Sequence, residues 1–125
     1  MDRKYILSSF IYAILGMVLG MFMAASQNHS QFVTHAHIML AGFLMSFVYG
    51  LCHKLWLNNC ASPLAKAQFF IHQFGAALMS AGLFLLYGNI VAAETIEHFL
   101  ALSSIAVLLA MMLMVILFVQ STKNT

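Results

Sequence analysis

Apolar residues run almost without a break along this chain, and the interruptions are few and short. Four stretches reach the roughly 20 mostly apolar residues that a membrane-spanning helix needs. They cover residues 5–25, 33–57, 64–87 and 93–119. The joint from Ser26 to Phe32 is polar and uncharged, that from Asn58 to Pro63 holds two asparagines and the one proline, and the third runs from Gly88 to Ala92. Joints this short force consecutive helices to run antiparallel. The pattern therefore predicts an all-α, four-helix transmembrane up-down bundle, a single transmembrane domain over residues 1–125. A helix satisfies its own backbone hydrogen bonds in lipid. The uninterrupted apolar runs exclude the alternating pattern of a membrane β-barrel.

Composition agrees. Of 125 residues, 63% are hydrophobic and 6% charged, against about 25% charged in a soluble domain. Lipid is the solvent this composition demands. The net charge of +2 is too small and too scattered for a nucleic-acid-binding surface. Placement of charge says more than its amount. Arg3, Lys4, Lys54, Lys66 and Lys123 all fall on one side of a four-span chain. By the positive-inside rule both termini and the second joint are cytoplasmic, and Glu94 and Glu97 sit at the outer end of the fourth span. The expected location is a bacterial inner membrane. A basic start, an apolar run and Met23-Ala24-Ala25 look like a signal peptide with its cleavage site. The run is long for one, and it reads as a true first helix. Cys52 and Cys60 fall near the cytoplasmic face, where thiols stay reduced and a disulfide is not expected.

Six histidines in so apolar a chain are the main chemical signal, because ionisable groups in a bilayer are costly and usually have a partner or a task. His29, His35, His37 and His98 lie toward the outer face, His53 and His72 toward the inner one. His35 and His53 are 18 positions apart, about five whole turns at roughly 100° per residue. Gly42, Ser46 and Tyr49 fall within about 40° of the same line. Leu44, Val48, Leu51 and Leu55 lie opposite. Span two thus carries a small-and-polar stripe that should look into the bundle. His37 is turned about 200° from His35 and points away from it. In span three, Gln68, His72, Gly75, Ala76 and Met79 share a face. In span four, Glu94, His98, Ala101 and Ile105 share another. His29, in the joint, reads as an interfacial residue.

Histidines at matched depth on separate helices, with glycines beside them, are what a b-type haem needs, since its iron takes an imidazole above and below the ring. By depth the outer ligands would be His35 and His98, with His37 in reserve, and the inner ones His53 and His72. Gly42 and Gly75 would let backbones approach the macrocycle. One haem is expected, and two if both pairs bind.

The stretch Thr34-His35-Ala36-His37-Ile38-Met39-Leu40-Ala41-Gly42-Phe43 resembles the second helix of the catalytic subunit of haem-copper oxidases. The whole chain resembles small four-span proteins described as oxidase subunit I-like. In these a His-x-His opens helix two, and a motif like Phe70-Ile71-His72-Gln73-Phe74-Gly75 opens helix three. The resemblance implies that His35 ligates a low-spin haem, with His37 its near neighbour. The oxygen-reducing centre of that family needs an adjacent His-His pair and a His-Pro motif. This chain has no His-His, and Pro63 follows Ser62. The resemblance therefore implies electron transfer, or haem or diatomic-gas binding, without oxygen reduction.

Two other functions fit the same residues. A copper-handling protein would use His29, His35 and His37 with some of the ten methionines, whose thioethers suit copper(I). A non-catalytic assembly or interaction subunit of a respiratory complex would use the histidines only to bond neighbouring helices. Gly16-x-x-x-Gly20 is a close-packing motif for membrane helices. The bundle is small for a ring of haem size, and a homodimer with haem near the interface is the expected assembly.

Overall fold

The computed structural model describes residues 1–59 and 61–123, the side chains of 122 and 123 aside. The expectation for Cys60 lies outside the described residues. Four helices carry the chain: α1 (Asp2–Ser26), α2 (Phe32–Leu55), α3 (Pro63–Tyr87) and α4 (Ala93–Lys123). Each is long and apolar enough to cross a membrane. The protein is a multi-pass membrane protein with an all-α bundle.

Local chemistry explains the helix ends. Gln27 closes α1 in the left-handed region, with φ 57°. Asn58 and Asn59 turn the chain after α2 with φ 54° and 55°, a conformation that asparagine tolerates better than most residues. The turn begins early enough that α2 stops at Leu55 rather than at the expected 57. The Ser62 hydroxyl accepts the Ala65 N–H at 3.2 Å, and Pro63 fills the first helical position, where its missing N–H costs nothing.

Contacts across the helices fix the topology. Gly16 of α1 faces Met39 of α2, Gly20 faces His35, and Gly50 faces Tyr5 and Ile6. Partners that descend on one helix as they ascend on the other make the pair antiparallel. In the second hairpin, Gly75 of α3 faces Ala106 and Val107 of α4, and Gly82 faces Leu100. The hairpins join where Ser46 of α2 meets His72 of α3 and Tyr5 of α1 meets Gln68 of α3.

Burial follows the stripes. Gly42, Ser46, Tyr49 and His53 are buried, while Leu44, Val48, Leu51 and Leu55 are exposed. On α3, Gln68, His72, Gly75 and Ala76 are buried and Met79 is partly so. Span four departs from expectation. Glu94, His98, Ala101 and Ile105 all face outward, and Ile96, Ser103, Ala106, Ala110 and Met114 face in. Small residues on α3 set this: Gly75 takes Ala106 and Val107 of α4 against its backbone, and Gly82 takes Leu100 and Ile96. The Gly16-x-x-x-Gly20 motif is likewise used inside the chain, as the seat of Ile38, Met39 and His35.

Residues Ile38–Leu44 of α2 form a π-helical stretch rather than regular α-helix. Its i to i+5 bonding widens each turn, so the five-turn arithmetic does not carry across it. His35 and His53 nevertheless both meet α1, one on the Gly16 carbonyl and the other on the Tyr5 ring.

The close approaches differ in what they tolerate. A Cβ at Gly42 would sit 2.5 Å from Tyr12 Cγ and Cδ1, on a ring that cannot bend away. A Cβ at Gly16 would mainly meet the flexible end of Met39. Gly42→Ala is expected to cost about 1–3 kcal/mol, as overpacking does, and Gly16→Ala clearly less. Thermal unfolding of the two variants in detergent checks the order.

Candidate functional site

Polar side chains collect at two levels. The inner one is a closed cluster in the half of the bundle that holds the chain start and the α2–α3 joint. Tyr5, Ser46, His53, Gln68 and His72 are each 0% exposed, and Tyr49 is nearly so. The Tyr5 hydroxyl donates to Gln68 Oε1, and Gln68 Nε2 donates to the Ala110 carbonyl at 3.2 Å. His72 Nε2 bonds Ser46 Oγ at 3.1 Å. Aromatic faces fill the remaining space. Tyr5 stacks on His53 at 5.6 Å, its ring centre lies 6.1 Å from that of His72, and Tyr49 meets His72 edge-on at 5.0 Å.

Three imidazole nitrogens in this cluster have no hydrogen-bond partner: both of His53 and Nδ1 of His72. The Ala41 carbonyl of the π-helical stretch lies near His72 without a bond of normal geometry. Buried polar atoms are nearly always paired, and orphans point to bound water, an ion or a functional role. The structure does bring His53 and His72 into one cluster, as their matched depth suggested. It brings them onto Tyr5, whose place in the sequence marks only the start of the first span. Tyr5, Ser9 and Tyr12 recur on one buried face of α1, and that polar spacing was the available signal.

The outer level is built differently. His35 Nδ1 lies 2.8 Å from the Gly16 carbonyl of α1, and His37 Nδ1 lies 2.9 Å from the Val33 carbonyl of its own helix. A carbonyl only accepts, so in the neutral ring Nδ1 carries the proton and donates, and Nε2 is left as a bare lone pair. A carbonyl holding the far nitrogen is how metal-ligating histidines are oriented. The His35 ring lies flat enough on α1 that a Cβ at Gly20 would come 3.1 Å from its Cε1. Both rings are partly exposed. An apolar groove of about 570 Å³ opens in the same half of the bundle. Leu15, Val18, Leu19 and Phe22 of α1, Phe84 of α3 and Ile38 wall it, and Ile38 is one turn from His35.

The remaining expected residues are apart from both levels. His98 faces outward on α4 and does not meet His35 within the chain. Depth alone suggested that pair, and the rotation of α4 on the glycines of α3 separates it. His29 is exposed in the first joint. Gly42 and Gly75 admit helix neighbours, Tyr12 in one case and Ala106 with Val107 in the other. Cys52 is a free, partly buried thiol. Among the described residues, no three of histidine, cysteine, aspartate and glutamate converge as a metal-binding group.

Comparison of the chain with protein-family models, with curated proteins and with solved structures finds no match.

A buried imidazole with both nitrogens unpaired is a local cost. Replacing His53 with leucine in protein free of any cofactor is expected to raise stability by about 1–3 kcal/mol, the cost of an unsatisfied buried group. Tyr5→Phe is expected to do the opposite, since it strands Gln68 Oε1. Thermal unfolding in detergent, followed by circular dichroism, reads both signs.

Proposed function

We propose that the protein is an integral-membrane b-type haem protein, an electron carrier or a binder of haem or a diatomic gas, with His35 as an axial ligand. One observation carries the reading: His35 donates from Nδ1 across the helix pair to the Gly16 carbonyl, which leaves Nε2 as a lone pair, and Ile38, one turn further along the same helix, lines an apolar groove of about 570 Å³. The resemblance of residues 34–43 to the haem-ligating helix of the oxidases points to the same side chain. Haem supplies one-electron and ligand-binding chemistry at its iron. The chain supplies the oriented imidazole, the dry wall and the close-packed seat on Gly16 and Gly20.

The inner pair suits a haem less well. Tyr5 packs against both His53 and His72, which leaves no gap for a macrocycle, so the outer level is where a haem is read. His98 faces away, and the second axial ligand therefore comes from a second copy, which makes the working unit a homodimer. The exposed cations Arg3, Lys4, Lys54 and Lys66 gather at the opposite end, which supports cytoplasmic termini and an inner-membrane location. A copper-handling role is the second reading. It is favoured by the lone pairs that His35 and His37 both leave free.

Optical spectra and elemental analysis of the purified protein test this. A Soret band with stoichiometric iron is expected. His35→Ala should abolish it, and Gly20→Leu should weaken it by crowding the ring. Copper without iron would favour the second reading. No Soret band after haem supplementation, with no copper either, would leave the histidines as helix-bonding groups of an interaction subunit.

A further inference from the structure

The inner end of the α1–α2 pair has a feature that the histidines do not use. A groove of about 540 Å³ runs between the start of α1 and the end of α2 on the outside of the bundle. Its walls are apolar, with Leu7, Phe10 and Leu51 exposed along it. Arg3, Lys4 and Lys54 stand at its mouth, and all three are exposed. Gly50 deepens the floor, where a Cβ would come 2.8 Å from Ile6 Cδ1. The one acid nearby, Asp2, accepts the backbone N–H of Arg3 at 2.7 Å, so cations outnumber acids at the mouth by three to one.

Exposed apolar walls are ordinary on a membrane protein, whereas an apolar trench ending in three cations at the edge of the hydrocarbon is a specific pattern. Its length lies along the helices, as an acyl chain does. Its charge lies where a phosphate group of the same leaflet would sit. Basic pockets between transmembrane helices recognise anionic headgroups in this way. We propose that this groove binds one anionic glycerophospholipid, its phosphate held by Arg3, Lys4 and Lys54 and one acyl chain laid against Leu7, Phe10 and Leu51.

The proposal shares no residue with the haem reading. A protein without a Soret band could still hold the lipid, and a haem-loaded protein could fail to hold it.

Native mass spectrometry of the full chain in mild detergent, titrated with phosphatidylglycerol or phosphatidylcholine, tests it. One phosphatidylglycerol should be retained per chain, and phosphatidylcholine should need at least about tenfold more. Each cation near an anionic group is worth a factor of about five, so the Arg3→Gln, Lys4→Gln, Lys54→Gln triple variant should lose on the order of a hundredfold. The single Lys54→Gln variant should lose a smaller part. Lys66→Gln, which changes an exposed cation outside the groove, should lose nothing. Equal retention of both lipids, an unaffected triple variant, or an equal loss in Lys66→Gln would overturn the proposal. Displacement by excess inorganic phosphate would also overturn it, by marking a site for a free anion.

Discussion

A polar side chain inside hydrocarbon has no water to turn to, and its partner must come from another helix or from its own backbone. This constraint orders the whole bundle. It turns the stripe of α2 inward, sets His72 of α3 against Ser46 of that stripe, and joins Tyr5 of α1 to Gln68 of α3 beside it. Where a serine has no neighbour to meet, it bonds its own helix: Ser80 donates to the Ala76 carbonyl and Ser103 to that of Leu100. His53 stands out because it does neither. Both of its ring nitrogens are buried without a hydrogen-bond partner.

Glycine is the second half of the arrangement. Without hydrophobic driving force between helices in lipid, association depends on close packing, and the glycines of α1, α2 and α3 set where that packing occurs. They also decide rotation. The seat of Gly16 and Gly20 brings His35 onto a carbonyl of α1, and the approach of α4 to Gly75 and Gly82 leaves Ala106 and Ala110 facing in and His98 facing out. Packing thus both orients one histidine and removes another from the interior.

Much of this was legible in the chain itself. Span count follows from run length, and the inward faces of α2 and α3 follow from where their small and polar residues recur. The outward turn of the Glu94–His98 face was not legible, because periodicity fixes which residues share a face without saying which way that face points. The π-helical stretch was hidden for a related reason. Ile38–Leu44 has nothing in its composition that distinguishes it from an ordinary helix. Its wider turns arise amid the packing of Gly42 against Tyr12 and Ser46 against His72. The state of His35 was also out of reach, since it depends on a backbone carbonyl of another helix, and carbonyls leave no trace in a sequence.

The pairing of α1 with α2, and of α3 with α4, has a consequence for biogenesis. Chains emerge from the ribosome amino end first, and the contact between His35 and Gly16 lies wholly within the leading hairpin. That imidazole can be set in its seat while α3 is still being translated. The Tyr5–Gln68 and Ser46–His72 bonds span both hairpins and can close only after the trailing one has been inserted. The order of synthesis thus permits the His35 seat to form before the Tyr5–Gln68 and Ser46–His72 bonds, which need both hairpins.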